Sequence, residues 1–431
     1  MHQRECICKP IVNVSSLQLF SVSSFSLKLI ALPTIPERVK QFNSTRIQKC
    51  LPIKYNLMSL NPFVFFRGTC HLFYEDFSKA ANLPDSPATW ICGDLHLENF
   101  GSYKGNNRLV YFDLNDFDEA VLAPSAWELA RIVTSIFVGF DSFRIDPAEA
   151  RDAAAYFLKI YSDTLCKGKS KYIEPETADG IVKIFLDNVA LRKQKELLRQ
   201  RTVEKKGKLV FLIDNDHLFK IDDNIKKELL SFLDEWLKAN MKYKAGFKVL
   251  DAAFRIAGTG SVGVYRYAFL VEKLQSPGKY VLIDMKQETA SSLQPFLSLQ
   301  QPAWTAESER VVAIQQRMQN VSPAFLSSAS FRKNSYILKE LQPIADKINF
   351  KVIKDKIKDL QKVIEDMAML TASAQLRSSG RQGSAIADEL IAFGQNNEWQ
   401  KKIVDYAMNY SSQVKKDYDE FAKAYNKKYF S

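Results

Sequence analysis

Between residues 253 and 288 the chain reads AFRIAG, a glycine-rich turn, VYRYAFLVEKL, a second turn at Ser276-Pro277-Gly278, and KYVLIDMKQE. The flanking runs are aromatic and β-branched, so they are expected to be strands folded back on one another by the two turns. The first turn, Gly258-Thr259-Gly260-Ser261-Val262-Gly263, has the G-x-G-x-x-G spacing. In a parallel dinucleotide-binding unit that motif opens a helix, whereas here a strand follows. A glycine loop between antiparallel strands has another use: where side chains are missing, backbone N–H groups can approach phosphates.

The rest of the pattern is mostly helical, so the expected class is α+β. Helices are predicted over 125–140 and over 147–166, where Asp146 can cap, Pro147 takes the first turn and Glu149 completes a capping-box pattern. Others are predicted over 225–239, 306–319 and 351–430, and SYILKEL at 335–341 reads as a strand. In the last helical region Trp399, Ile403, Tyr406, Tyr410, Val414, Phe421 and Tyr425 fall on one stripe, which reads as core. Residues 88–120 read as strand, loop, strand with a turn at Gly105-Asn106-Asn107, and KLVFLI and HLFKI read as a hairpin about Asp214-Asn215-Asp216. With 431 residues, 46% of them apolar, a large core is available.

Charge is unevenly placed. The chain carries 60 Lys+Arg against 49 Asp+Glu, a net +11. Yet residues 51–150 hold 7 basic and 13 acidic side chains, and 192–208 hold 8 basic and 2 acidic. An acidic block suits a metal ion better than a phosphate backbone, and no aromatic residues interleave the basic run as single-strand binding requires. A nucleic-acid partner therefore ranks low. The six cysteines show no zinc-ligand spacing and read as reduced thiols. No run of 18 apolar residues occurs, and 11–33 is broken by six serines and Lys28, so no membrane partner and a cytoplasmic location are expected. Residues 1–35 read as a tail.

Two loops carry candidate chemistry. In Cys92-Gly93-Asp94-Leu95-His96-Leu97-Glu98-Asn99, Asp94 and Asn99 are five apart. Phosphoryl transfer to a hydroxyl needs a carboxylate to orient it and an amide oxygen to help hold magnesium, and a D-x-x-x-x-N turn supplies both. In the second, Tyr111-Phe112-Asp113-Leu114-Asn115-Asp116-Phe117-Asp118-Glu119, a strand runs into a cluster of carboxylates.

GDLHLEN resembles the catalytic loop of aminoglycoside phosphotransferases and choline kinases, and more distantly that of protein kinases. The resemblance implies Asp94 as catalytic base and Asn99 as metal ligand; Cys92 stands where those relatives usually have His. His96, on the same loop as Asp94, is a candidate to orient it. The magnesium carboxylate is Asp113 if counted from Asn99, or Asp116 if counted back from Trp127-Glu128-Leu129-Ala130, which resembles the Asp-Leu-Ala of phosphotransferases. By the same likeness Gly258, Gly260, Ser261 and Gly263 cover the phosphates. Lys286, 23 residues after Gly263, neutralises them and pairs with Glu309, with Glu307 in reserve. Arg67 is a candidate for a phosphate or an acidic substrate.

Asp94 precedes Gly258 by 164 residues, the reverse of an ordinary kinase, so the expected fold is a two-lobed, circularly permuted kinase-like arrangement. The segments FVFFRGT, WICGDLHLENFG, YFDLNDFDEA, RIAGTGSVG, DMKQE, ERVV and LKELQP resemble, in the same order, the uncharacterised bacterial family called domain of unknown function 2252, over about residues 38–425. Ala374-Gln375-Leu376-Arg377 stands where that family often has Ala-His-Ala-Arg, and it is assigned no role. The expected organisation is a tail (1–35), a helical lobe with the catalytic and metal loops (36–245), a β-rich nucleotide lobe (246–345) and C-terminal helices completing the helical lobe (346–431). The expected function is an ATP- and magnesium-dependent phosphotransferase acting on a small hydroxylated or amine-bearing molecule. The alternatives are a nucleotide-binding pseudokinase-like regulator and, ranked lower, a nucleic-acid binder.

Overall fold

A computed structural model describes residues 33–191, 194–240, 246–341 and 347–430, and every element below lies in the compact unit Ile35–Ser431. The greater part of the expected tail is outside the described residues.

Four short helices come first, α1 (Ile35–Phe42), α2 (Leu51–Met58), α3 (Pro62–Gly68) and α4 (Cys70–Phe77). The strands β1 (Ala88–Ile91), β2 (Phe100–Lys104), β3 (Val110–Leu114) and β4 (Val121–Pro124) follow. The hairpin β2–β3 closes at Gly105–Arg108, and β1 pairs antiparallel with β4 around it. Both loops of candidate chemistry thus sit at strand ends, in the 91–99 and 114–121 connections. Next come α5 (Ser125–Phe143) and α6 (Pro147–Cys166). Nearly every face of α5 is buried, which makes it the central rod of the helical lobe. Asp146 caps α6 by accepting from the Ala148 N–H at 2.7 Å.

After α7 (Gly180–Leu191) the chain crosses to the second lobe through α8 (Gln194–Arg201), β5 (Thr202–Lys205), β6 (Lys208–Phe211), β7 (Leu218–Phe219) and α9 (Asp223–Ala239). The expected 208–221 hairpin does not form. β6 pairs with β5 and β7 with β8, because Asp214 folds the intervening turn onto itself by accepting from the N–H groups of Asp216, His217 and Leu218. α9 lays Leu229, Leu233 and Leu237 on the same apolar cluster as Phe269, Ile283 and Leu338. Elements before residue 245, placed by sequence with the helical lobe, therefore pack on the sheet.

The sheet contains β8 (Phe247–Arg255), β9 (Arg266–Lys273), β10 (Tyr280–Gln287), β11 (Ser327–Phe331) and β12 (Asn334–Glu340). With β7 it has six strands, all antiparallel, in the order β11-β12-β10-β9-β8-β7. SYILKEL is an interior strand, since β11 covers its far edge. On β10, Asp284 stands opposite Lys339 of β12, and Lys286 opposite Arg266 of β9. Helix α10 (Glu307–Met318) precedes β11.

The chain returns to the helical lobe with α11 (Phe350–Ile353), α12 (Ile357–Ser378), α13 (Ala387–Gln395) and α14 (Glu398–Asn426). Trp399, Ile403, Tyr410, Val414 and Phe421 of α14 are buried in one large core with α3, α4, α5 and α12; Tyr406 and Tyr425 pack at its margin. Among the described residues no helix is long and apolar enough to cross a membrane. Cys50, Cys70, Cys92 and Cys166 are free thiols.

Candidate functional site

The first loop leaves β1 under close control. The Cys92 N–H donates to the Glu128 carboxylate of α5 at 2.6 Å, and the Tyr74 hydroxyl donates to the Gly93 carbonyl. Gly93 has φ +82°, and a Cβ there would lie 2.3 Å from the Glu119 carbonyl oxygen. Only glycine lets the two loops touch. Burial pushes the Glu128 carboxyl up to about 7, although the Cys92 N–H and Gln375 amide bonds oppose this. Gln375 on α12, to which no role was assigned, donates to Glu128 at 3.0 Å and accepts from Tyr161.

Asp94 is held by Arg131, one helical turn beyond Glu128. Arg131 donates from Nε at 3.1 Å and from Nη2 at 2.7 Å, both to Oδ1. Its guanidinium is fully buried, lies 3.5 Å from the Phe66 ring centroid and also donates to the Phe66 carbonyl at 2.8 Å. Burial raises the Asp94 carboxyl to about 6, with Arg131 pulling it down and Glu119 and Asp116 adding to the rise. Asn99 closes the loop by donating from Nδ2 to the Asp94 carbonyl, which leaves its side-chain oxygen for another partner. The orienting role expected of His96 belongs instead to Arg131. His96 is buried, accepts from the Glu98 N–H at 3.1 Å and packs edge-on to Phe63; burial holds it well below the ordinary imidazole value, so it is neutral.

The second loop separates the two carboxylates between which sequence could not choose. Asp113 sits within β3, opposite Gly101, and accepts from the Leu114 N–H. It is only 2% exposed, does not line the cleft, and burial raises it to about 6. Asp116 lines the cleft together with Asp94 and Lys286. This loop is tied at two points to the segment between β10 and β11, whose Leu293, Val311, Ile314 and Met318 pack in the helical core. Glu119 accepts from the Ser292 N–H at 2.6 Å, and Arg310 of α10 donates to the carbonyls of Asp118 (2.9 Å), Ala120 and Thr289 (3.0 Å).

The glycine loop joins β8 to β9, as the sequence pattern predicts. Gly258 and Gly263 have φ +74° and +92°, and a Cβ at Gly263 would meet Arg46 at 2.9 Å. The loop's carbonyls are held from the helical lobe: Lys54 donates to Thr259 (2.9 Å) and Gly260 (3.0 Å), Arg46 to Val262 (2.8 Å), and the Ile47 N–H to Gly263 (2.8 Å). Lys54 is wholly buried, and burial, with Arg46 next, lowers it well below the ordinary lysine value. Sequence reasoning missed Lys54, although a lone lysine in the apolar run LPIKYNLM was a visible signal.

Lys286, 5% exposed, pairs with Asp118 and lies 3.7 Å from Asp116. Burial works against its charge, but Asp116 and Asp118 outweigh it and raise Lys286. Lys286 in turn holds Asp116 below its ordinary value against burial, while burial and the Asp116 charge push Asp118 up. The expected Lys286–Glu309 pair is absent. Glu309 accepts from the Thr305 N–H at the start of its own helix, and Glu307 pairs with Arg310 at 2.7 Å. Arg67 is in the cleft, paired with Glu98 at 2.6 Å.

Two adjoining chambers result. The smaller contains Asp94, Cys92, Asp118, Glu119 and Gly260; the larger contains Asn99, Gly258, Arg255 and Lys339; Asp116, Ser261, Lys286 and Arg67 face both. The larger has a volume of about 680 Å³, within the roughly 300–1,000 Å³ of small-ligand sites. Among the described residues no three His, Cys, Asp or Glu side chains form a ready metal cluster. Magnesium does not require one, since it is commonly held by one or two carboxylates plus the substrate's phosphates, and Asp116 with the Asn99 oxygen fits that role.

The model of the family described as an uncharacterized protein conserved in bacteria (DUF2252) matches residues 46–424. No curated protein and no solved structure matches the chain.

Proposed function

We propose that this chain, which belongs to the bacterial family DUF2252, is an ATP- and magnesium-dependent phosphotransferase whose two lobes follow a kinase-like plan in permuted order. One observation carries the reading. Gly258, Gly260 and Ser261 of the glycine loop, Lys286 and the Asp94 and Asp116 loops, far apart in sequence, line one cleft, whereas Gly263 packs against Arg46 and is not part of its lining. With the loop's carbonyls at 259, 260, 262 and 263 bonded to Lys54, Arg46 and Ile47, its N–H groups are what it has left for a phosphate. Lys286 neutralises the phosphates, Asp116 with Asn99 holds magnesium, and Asp94, steadied by Arg131 through Oδ1, orients the acceptor hydroxyl with Oδ2.

Thermal unfolding with and without ATP, each with and without magnesium, tests this. The expected result is a stabilisation that needs magnesium, disappears in Asp116→Asn and persists in Asp113→Asn. No shift at millimolar ATP overturns the reading.

A second reading, nucleotide binding without transfer, is favoured by the engagement of Lys286 with Asp118 and Asp116 and by the turning of Glu309 to its own helix start. ATP consumption that is abolished by Asp94→Asn with binding retained decides for transfer; consumption unchanged by that substitution overturns the role of Asp94.

A further inference from the structure

The two chambers differ in sign. In the smaller, the carboxylates of Asp94, Asp116, Asp118, Glu119 and Glu288 outnumber Arg46, Arg67 and Lys286. In the larger the balance reverses. Its sheet wall carries Arg255, Arg266 and Lys339, and its helical wall carries Arg67, Lys347 and Lys351, with Lys286 at the junction. Only Glu98, Asp116 and Asp284 oppose them.

The pairing leaves a clear surplus. Asp284, 3% exposed at its side chain, is shared by Arg255 (3.0 Å) and Arg266 (2.6 Å). Glu98 is taken by Arg67, and Asp116 lies near Lys286. Among the described residues Lys339, Lys347 and Lys351 have no ion-pair partner within 4 Å. Crowding shows in the titration of the buried cations: burial and then Arg266 lower Arg255 to about 10, and burial and then Arg67 lower Lys347 to about 8. A solvated basic surface would not show this, because water would screen the charges from one another.

The chamber is also poorly built for a stacked base. A nucleobase slot is mostly apolar on both walls, but the sheet wall here is Arg255, Arg266 and Lys339. Aromatic surface is confined to Phe143 and Phe350, which stack on each other with ring centroids 5.9 Å apart.

We propose that the larger chamber is a polyphosphate subsite, recognising a run of phosphate groups that extends from Lys286 toward Lys339 and Lys347, so that the ligand's chain of charge and not its base sets affinity. The inference rests on the reading that phosphates enter at Lys286. A nucleoside polyphosphate and a linear inorganic polyphosphate share this chemistry.

Calorimetric titration of the full chain with inorganic tripolyphosphate, a longer linear polyphosphate and ATP, at fixed magnesium and ionic strength, tests the proposal and separates the two sources. Tripolyphosphate should bind within about threefold of ATP, and the longer chain more tightly than either if the ligand is inorganic. Lys339→Met and Lys347→Met, which keep much of the aliphatic stem, should each weaken tripolyphosphate about tenfold. Lys351→Glu, at an exposed position that the fold tolerates, should weaken it as well if the other variants fail to fold. ATP binding with tripolyphosphate at least a hundredfold weaker overturns the subsite and leaves the phosphotransferase reading standing. Binding of both that none of the lysine variants alters overturns the subsite too. Binding of neither overturns both readings.

Discussion

Replacing Arg131 with Met tests the link between fold and site most directly. The guanidinium is fully buried, lies on Phe66, and makes two bonds to one Asp94 oxygen and one to the Phe66 carbonyl. Removing one member of a buried ion pair costs about 3–5 kcal/mol because its partner remains as an uncompensated charge. Asp94 is one-fifth exposed at its side chain, so water recovers part of this and about 3 kcal/mol is expected. Asp94→Asn strands Arg131 instead, at a cost of about 2 kcal/mol, since the Phe66 ring and carbonyl still engage the guanidinium. The double variant strands neither. Its cost should fall below the sum of the single costs by about 2 kcal/mol, the size of coupling seen for contacting residues. Urea unfolding of the four proteins, with the midpoint read at constant slope, measures the coupling. Additivity within about 0.5 kcal/mol would show that Arg131 stabilises α5 packing and does not hold Asp94, and the positioning role would be withdrawn.

Three further outcomes follow from the same geometry. Gly93→Ala should cost about 3 kcal/mol or more, because it adds a clash with the Glu119 carbonyl to a left-handed backbone, whereas Gly207→Ala, at φ +70° with open space around it, should cost only about 1 kcal/mol; equal shifts in unfolding midpoint would refute the close approach of the two loops. Glu128 is raised to about 7, so the folded state binds its proton more tightly than the unfolded chain does. Its contribution to stability is whole below about pH 4.5 and is lost as pH rises through about 7, a fall of at most about 3–4 kcal/mol at 1.36 kcal/mol per pKa unit; Glu128→Gln should make the fall in stability between pH 5 and 8 shallower, leaving the part due to Asp94 and Asp113, and an unchanged slope would refute the assignment. Lys54→Met removes the clamp on the Thr259 and Gly260 carbonyls, so exchange of the Ile47 and Val264 N–H groups, which donate to Gly263 and Ser261 of the loop, should quicken at least tenfold with little change in the β9 and β10 core; unchanged exchange would show that Arg46 and Ile47 suffice.

What could be read in advance was whatever local pattern determines. The β8–β9 glycine turn, the Asp146 cap and the long C-terminal stripe all follow from periodicity or capping within a few residues. The spacing of Asp94 and Asn99 was equally legible, because their contact closes within one loop. Three things were not. That Asp116 and not Asp113 faces the cleft depends on which residue ends the pairing with β2, and register is decided by the partner strand. The pairing of β7 with β8, and not with β6, depends on a single carboxylate gathering three N–H groups. The partners of Asp94 and Lys286 come from elements 37 and 168 residues away. A lysine at a strand end accepts whichever carboxylate the fold brings, and Arg310 with Ser292 brings Asp118 where Glu309 was expected.

The reversed order of the two motifs needs a physical account of how loops 164 residues apart are kept in register. Covalent connection does not supply it, since α6, α7 and α9 intervene. Short polar ties do. From the helical lobe, Arg46, Ile47 and Lys54 take four consecutive or near-consecutive carbonyls of the glycine loop; from the segment between β10 and β11, which packs on the helical core, Arg310 takes two carbonyls of the Asp118–Ala120 turn and Ser292 takes the Glu119 carboxylate. The glycine-loop ties join the two lobes, the Arg310 and Ser292 ties fix the acidic loop against α10, and each involves a buried or half-buried group whose loss would leave an unsatisfied partner. The cleft is therefore defined by hydrogen bonds between segments distant in sequence and not by the order of its parts along the chain. On this view Arg310→Met should displace the Asp116–Glu119 loop and weaken the proposed magnesium-dependent ATP binding at least tenfold, although Arg310 itself lines neither chamber. Retention of full affinity by a folded Arg310→Met protein would mean that Lys286 and Asp118 alone hold the loop in place.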